Sequence, residues 1–114
     1  MALTPEERQD RDMSESALQK AVLELAKDAG WDLRFHVRAG RAHWNLGSGL
    51  PDLVLIRVPR LIVAELKRQG KNPEPEQVRW LTAFEKLQQE HGIPEVYVWR
   101  PSDLRTGLIE DVLL

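Results

Sequence analysis

The stretch that decides the fold is residues 51–67, which reads PDLVLIRVPRLIVAELK. Two apolar runs, 52–58 and 61–67, are separated by residues 59 and 60, and this pattern predicts a β-hairpin with Pro-Arg as its turn. The second run is apolar on both faces until Glu65, which is typical of a central strand covered on both sides. We therefore expect this hairpin to form the middle of a β-sheet.

Three ionisable side chains meet at one end of this hairpin. With a Pro-Arg turn, Val58 pairs with Leu61, so Asp52 lies opposite Lys67. Period-two alternation then places Glu65 on the same face as both of them. The sequence predicts two carboxylates and one amine within reach of one another.

Such a group of side chains favours metal-dependent chemistry. Two close carboxylates repel each other, and a divalent cation relieves that repulsion. Oxygen ligands suit Mg²⁺ or Mn²⁺, and the backbone carbonyl of Leu66 offers a third oxygen. Lys67 is then placed to orient an attacking water or to stabilise a charged transition state. An ordinary strand-end salt bridge of Glu65 and Lys67 with Arg57 or Asp52 is the alternative interpretation.

The remaining elements extend the hairpin into an α/β fold of order α-β-β-β-α-β-α. We expect a polar lead-in over residues 1–13 and one domain over residues 14–114. Within that domain we expect a helix from Ser14 or Ser16 to Gly30, a half-buried strand over 33–38, a loop over 39–51, a helix from Pro75 to Gly92, a strand over 95–99 and a short helix capped by Ser102 or Asp103. Together these predict a mixed four-stranded sheet flanked by helices.

Length, composition and charge narrow the class of protein. The chain has 114 residues, the length of one domain, and it has no cysteine, which excludes a disulfide framework and a zinc-thiolate site. Its apolar runs are far shorter than the roughly 20 residues of a membrane helix, and no secretory signal is evident, so we expect a cytoplasmic protein. The net charge is −2, but residues 33–71 carry eight bases and only two acids. A local basic surface of this kind favours phosphate binding, although a solvated charged face is the alternative.

The motifs as a set resemble the VRR-NUC branch of the PD-(D/E)xK nuclease superfamily, in its small stand-alone form from phages and bacteria. Pro51-Asp52 followed by Glu65-Leu66-Lys67 matches the catalytic motif. The supporting segments are SESALQ at 14–19, GLPD at 49–52, PEQVRWL at 75–81 and VYVWRP at 96–101. The resemblance spans about residues 14–105 and implies a restriction-endonuclease-like core.

The resemblance also implies roles for particular residues. The metal or catalytic positions that it assigns are Asp52, Glu65, the Leu66 carbonyl, Lys67, Glu15 and Gln77. Glu15 would reach the metal directly or through water, and Gln77 would border the site. Helix-dipole stabilisation by Glu15 and a plain first-turn role for Gln77 are the alternatives. The implied activity is Mg²⁺- or Mn²⁺-dependent hydrolysis of DNA, with branched DNA such as a Holliday junction as substrate, by a homodimer in a bacterial or phage-infected cell.

Several basic or aromatic residues are candidates for DNA contact. They are His36, Arg38, Arg41, His43, Trp44, Arg68 and Lys71. His43 and Trp44 lie where the family has a more plainly basic loop of small residues, and a structural histidine is an equal alternative for His36. Two other functions stay open: a non-catalytic nucleic-acid-binding or phage accessory module that keeps the fold, and a protein-interaction domain such as a toxin–antitoxin partner.

Overall fold

The computed structural model describes residues 2–37 and 49–114, which form four strands and five helices. The elements are α1 (Pro5–Asp12), α2 (Glu15–Asp28), β1 (Leu33–His36), β2 (Leu53–Arg57), β3 (Arg60–Leu66), α3 (Pro75–His91), β4 (Glu95–Trp99), α4 (Pro101–Arg105) and α5 (Leu108–Leu113). No helix in these two ranges combines the length and apolar character needed to cross a membrane.

The strands form one mixed sheet in the order β1-β2-β3-β4. The pairs β1–β2 and β2–β3 are antiparallel, whereas β4 pairs with β3 in parallel. A parallel neighbour requires a crossover connection, and α3 supplies it between β3 and β4. The predicted α/β class with a four-stranded mixed sheet flanked by helices is confirmed.

The main apolar core lies on one face of the sheet. Its fully buried members come from α2, the sheet, α5 and two tryptophans: Leu18, Val22, Ala26, Trp31, Leu53, Leu55, Ile62, Ala64, Leu66, Trp99, Ile109 and Leu113. No residue of α3 belongs to this cluster, and α3 packs against β4 from the other face with Leu81 buried. The two faces of β3 are therefore both covered, as its sequence predicts.

The hairpin turn lies one residue earlier than predicted. Arg57 pairs with Arg60, so Val58 and Pro59 are the central residues of the turn. The two arginine side chains lie over the Trp31 ring, with guanidinium carbons 4.8 and 4.9 Å from its centroid. These cation–π contacts stabilise the observed register. The predicted pairing of Val58 with Leu61 is wrong, because each residue of β2 pairs with a residue of β3 two positions earlier than predicted. A register shift of two residues leaves every side chain on its predicted face.

Strand β1 is more exposed than the expected half-buried strand. Leu33 and Phe35 are 62% and 63% exposed. The strand forms one edge of the sheet, while α3 covers the opposite edge at β4. The alternation in the sequence identified a strand here, but burial depends on which edge receives a helix.

The polar lead-in is ordered, because its residues 5–12 form helix α1. The Thr4 side chain accepts the Glu7 N–H at 3.1 Å and begins the helix. Asp10 is buried and pairs with Arg105 of α4, whose Nη2 lies 3.0 Å from its Oδ2. This ion pair fastens α1 to the C-terminal part of the chain.

The ends of the other helices agree with the sequence in part. Ser14 caps α2, with its hydroxyl accepting the Ala17 N–H, so the alternative cap at Ser16 is wrong. The predicted single C-terminal helix is two helices, because Gly107 adopts a left-handed φ of +83° between α4 and α5. Asp103 accepts the Arg100 N–H from the first turn of α4, and Arg100 is the cap residue.

Candidate active site

Asp52 and Glu65 lie directly opposite each other at the start of β2 and the end of β3. The paired residues of β2 and β3 end at Leu53 and Ala64, and one further step in the same register places Asp52 opposite Glu65. Because the Asp52 carbonyl accepts the Val37 N–H from the β1 side, the backbone of Asp52 faces away from β3, and Asp52 and Glu65 form a non-hydrogen-bonded pair. Side chains approach most closely in such pairs. The prediction that the two carboxylates share one face is confirmed, whereas the predicted position of Lys67 opposite Asp52 is wrong.

The Glu65 carboxyl is buried without a donor. Its side chain has no exposed area, and neither oxygen has a hydrogen-bond partner in the described part of the chain. Burial raises the pKa of Glu65 to about 9, helped by contact with and repulsion from Asp52, while Lys67 partly opposes the increase. A buried ionised carboxylate with no donor is unfavourable by several kcal/mol, so this group requires either a proton or a cation.

Asp52 is held from two sides. Its Oδ2 accepts the Leu66 N–H at 2.8 Å, and its backbone carbonyl accepts the Val37 N–H at 2.7 Å. The first contact links β2 to β3 and the second links it to the segment that follows β1. The Asp52 carboxylate is thereby fixed next to Glu65 by backbone groups.

Pro51 removes the backbone donor that would otherwise face the carbonyl of Leu66. In the continued register, Pro51 faces Leu66 at a position where two residues normally exchange both of their backbone hydrogen bonds. Proline has no N–H to donate, and the Leu66 N–H goes to Asp52 instead. The Leu66 carbonyl points to the same side of the strand as its N–H, towards Asp52. The sequence pattern assigns Pro51 no separate role, although a proline directly before an acid at the start of a predicted strand indicates a missing backbone donor at that position.

Lys67 follows on the same face as Glu65. Its N–H donates to the Trp99 carbonyl at 3.0 Å, which continues the parallel pairing with β4 past Leu66. The Lys67 side chain is half-buried, and its charge lowers the pKa of Glu65 against the effect of burial. The structure thus brings together three of the sequence-predicted site residues, Asp52, Glu65 and Lys67, with the Leu66 carbonyl beside them.

Glu15 and Gln77 are placed differently. Glu15 is exposed in the first turn of α2, which packs on the face opposite to Glu65. The described ranges contain no group of three or more His, Cys, Asp or Glu side chains arranged to hold a metal, so Glu15 does not form such a group with Asp52 and Glu65. Gln77 is half-buried in the first turn of α3, and its Oε1 accepts the Glu74 N–H at 2.7 Å. Direct ligation by Glu15 is not supported, and Gln77 has a capping role.

The candidate DNA-contact residues divide into three groups. His36 pairs with Leu53 and so lies on the core side of the sheet, opposite to Glu65. Arg68 and Lys71 are exposed in the segment after Lys67, and Arg68 donates to the Arg11 carbonyl. Arg38, Arg41, His43 and Trp44 lie outside the described residues. Of the described candidates, Arg68 and Lys71 follow the site most closely in the chain.

The donor set fits a hard divalent cation. Two carboxylates and one backbone carbonyl are oxygen ligands of the type that Mg²⁺ and Mn²⁺ prefer, and water completes such sites. The oxygens of Glu65 have no partner among the described residues, so this donor set can take up either a proton or a cation. No family model, curated protein or solved structure matches the chain, so the resemblance to VRR-NUC nucleases depends on the motif residues alone.

Proposed function

We propose that this protein is a divalent-metal-dependent DNA endonuclease with a restriction-endonuclease-like core. The observation that carries the proposal is the buried Glu65 carboxyl, which has no donor within residues 2–37 and 49–114 and faces Asp52 on the same side of the sheet as Lys67. A merely structural ion pair would give the Glu65 oxygens a partner. A cation bound between the two carboxylates would offset the repulsion that their close approach causes.

Each residue of the site has a distinct part in the proposed hydrolysis of a phosphodiester. Asp52, Glu65 and the Leu66 carbonyl would hold Mg²⁺ or Mn²⁺. A cation bound there would lower the pKa of a coordinated water and neutralise charge on the phosphate. Lys67, next to these ligands, orients the attacking water and stabilises the added negative charge at phosphorus.

Nucleic acid is the substrate that the charge distribution favours. Lys67 adds a positive charge at the site, whereas Arg57 and Arg60 lie over Trp31 at the turn end of the hairpin. Arg68 and Lys71 extend this positive charge past the site on exposed positions. Lysine and arginine near a scissile phosphate bind neighbouring phosphates and make the affinity salt-dependent.

Cleavage in the presence and absence of metal tests the function directly. Purified protein is incubated with linear, flapped and four-way DNA in Mg²⁺, in Mn²⁺ or in chelator. We expect metal-dependent cleavage, with four-way junctions cut fastest, and complete loss of cleavage in Glu65→Ala. Cleavage that continues in chelator, or at the wild-type rate in Glu65→Ala, would contradict the proposed site.

Resolution of a four-way junction requires two active sites, and a two-fold homodimer provides them. The exposed Leu33 and Phe35 on edge strand β1 are an apolar surface that a second copy would cover. Light scattering should give the mass of a dimer for the wild-type protein and of a monomer for Leu33→Ser/Phe35→Ser. A monomeric wild-type protein that still cuts both strands of a junction together would exclude the dimer.

The same fold without catalysis is the alternative function. A nucleic-acid-binding module would keep the basic segment but would not require metal. Calorimetric titration with Mn²⁺ separates the two, because only the nuclease should bind the metal in a manner that depends on Asp52. DNA binding without any metal binding would favour the module, and salt-insensitive binding to a protein would favour the interaction domain.

A further inference from the structure

The backbone at Gly49 touches the first turn of α3. A Cβ atom placed on Gly49 would lie 2.5 Å from both the carbonyl carbon and oxygen of Glu76, and 2.9 Å from the nitrogen of Gln77. Real Cβ atoms do not approach backbone atoms this closely. The chain at this point therefore has room for a hydrogen and not for a methyl group, and the atoms that a methyl group would meet are backbone atoms of α3.

The contact lies three residues before Asp52 and is followed by two further anchors. Pro51 is fully buried, and the Asp52 carboxylate accepts the Leu66 N–H. The backbone at Gly49 thus lies against α3, the Pro51 side chain is buried in the protein, and the Leu66 N–H holds the Asp52 carboxylate. A shift at Gly49 is passed on through a buried proline to the residue that faces Glu65.

We propose that Gly49 is a positioning residue of the metal site: its lack of a side chain lets the segment before β2 lie against α3, and this contact places Asp52 opposite Glu65. The inference rests on the proposed function, because it concerns the same metal ligands. Gly49 has no side chain that could ligate the metal, and it acts through the path of the backbone. Supporting groups of this kind change metal affinity by about 10- to 100-fold when they are altered.

The chain provides a matched control for the backbone conformation. Gly49 has a φ of +85°, and Gly92 at the C-terminal end of α3 has a φ of +83°. A Cβ on Gly92 would meet nothing within 4 Å. Alanine at either position introduces the same left-handed strain, but only Gly49→Ala adds the collision with α3.

Calorimetric Mn²⁺ titration of the wild-type protein, Gly49→Ala and Gly92→Ala tests the inference. We expect Gly49→Ala to bind Mn²⁺ about 10-fold or more weakly, and Gly92→Ala to keep the wild-type affinity although its melting temperature also falls. Equal Mn²⁺ affinity in Gly49→Ala and Gly92→Ala would overturn the positioning role. A wild-type protein that binds no Mn²⁺ would instead contradict the proposed function, and the inference with it.

Folding of the variant is checked separately by far-UV circular dichroism. If Gly49→Ala is unfolded in buffer, trimethylamine oxide shifts it to the folded state, and all three titrations are repeated in the same osmolyte. A folded Gly49→Ala with wild-type Mn²⁺ affinity under those conditions overturns the inference as well. Weak binding there, with normal binding by Gly92→Ala, supports it.

Discussion

Glu65→Gln is expected to stabilise the metal-free protein at pH 8 by a few kcal/mol and to abolish its response to Mn²⁺. Burial raises the pKa of Glu65 in the folded protein to about 9, from an ordinary value of 4.5. The folded state therefore binds this proton more tightly than the unfolded state. Its stabilising effect is complete below the unfolded pKa, and it is lost as the pH rises towards 9, at a limit of about 1.4 kcal/mol per pH unit.

Glutamine has the shape of the protonated acid and does not titrate. The groups that face Glu65 are Asp52, which raises its pKa, and Lys67, which lowers it. The neutral amide removes the repulsion between the two carboxylates, and the link between β2 and β3 that the Leu66 N–H makes to Asp52 is unchanged. It loses the charge that a divalent cation requires.

Urea unfolding in chelator at pH 5, 7 and 9 measures the first effect. The free energy of unfolding of the wild-type protein should fall across this series, whereas Glu65→Gln should vary much less. Glu24→Gln, on the exposed side of α2, is the control and should follow the wild-type protein. A parallel decline in the wild-type protein and Glu65→Gln would show that another group causes the pH dependence.

Mn²⁺ should then reverse the order of stability at pH 8. Ligand binding to the folded state raises the melting temperature, and the wild-type protein gains this stabilisation while Glu65→Gln does not. Glu65→Gln should therefore be more stable than the wild-type protein without metal and less stable with it. This combination is expected only when the substituted side chain is a buried metal ligand. Equal stabilisation of both proteins by Mn²⁺ would exclude Glu65 as a ligand.

The face that carries the site could be predicted from the sequence because alternation is insensitive to an even shift in register. The turn was predicted at Pro59 and Arg60 and is found at Val58 and Pro59. That shift changes the partner of Asp52 from Lys67 to Glu65, but it does not move either acid to the other face. The grouping of Asp52, Glu65 and Lys67 on one face was therefore predictable from the sequence, although the exact pairing was not.

The structure differs from the sequence-based expectations where contacts between distant parts of the chain determine burial or order. The exposure of Phe35 follows from the position of α3 over the other edge of the sheet, and the order of α1 follows from the pairing of Asp10 with Arg105. Both contacts join residues that are far apart in the sequence, so no local sequence pattern indicates them. Gly49 was visible only as part of a motif, because its role depends on the distance to a helix about 27 positions later.

Lys67→Met is the substitution expected to reduce cleavage most selectively. Methionine keeps much of the length and apolar stem of the lysine but cannot orient water or stabilise negative charge. Loss of such a group slows the chemical step by about 10²- to 10⁴-fold. Mn²⁺ binding should survive, because the proposed metal ligands are Asp52, Glu65 and the Leu66 carbonyl, and removal of a nearby positive charge does not repel a cation.

Single-turnover cleavage at saturating DNA and Mn²⁺ titration, measured on the same preparation, separate these two effects. Lys86→Met is the control, since Lys86 is exposed on α3 and its substitution removes the same unit of charge. We expect normal cleavage from this control, and normal metal binding without cleavage from Lys67→Met.

If Lys67→Met cut DNA at the wild-type rate, the lysine would be a structural neighbour of Glu65, and the water would have to be activated by the ligand carboxylates and the cation alone. If it lost Mn²⁺ binding as well, the amine would instead be needed to hold the site together. Retained binding with lost cleavage is the result that assigns Lys67 to the chemical step.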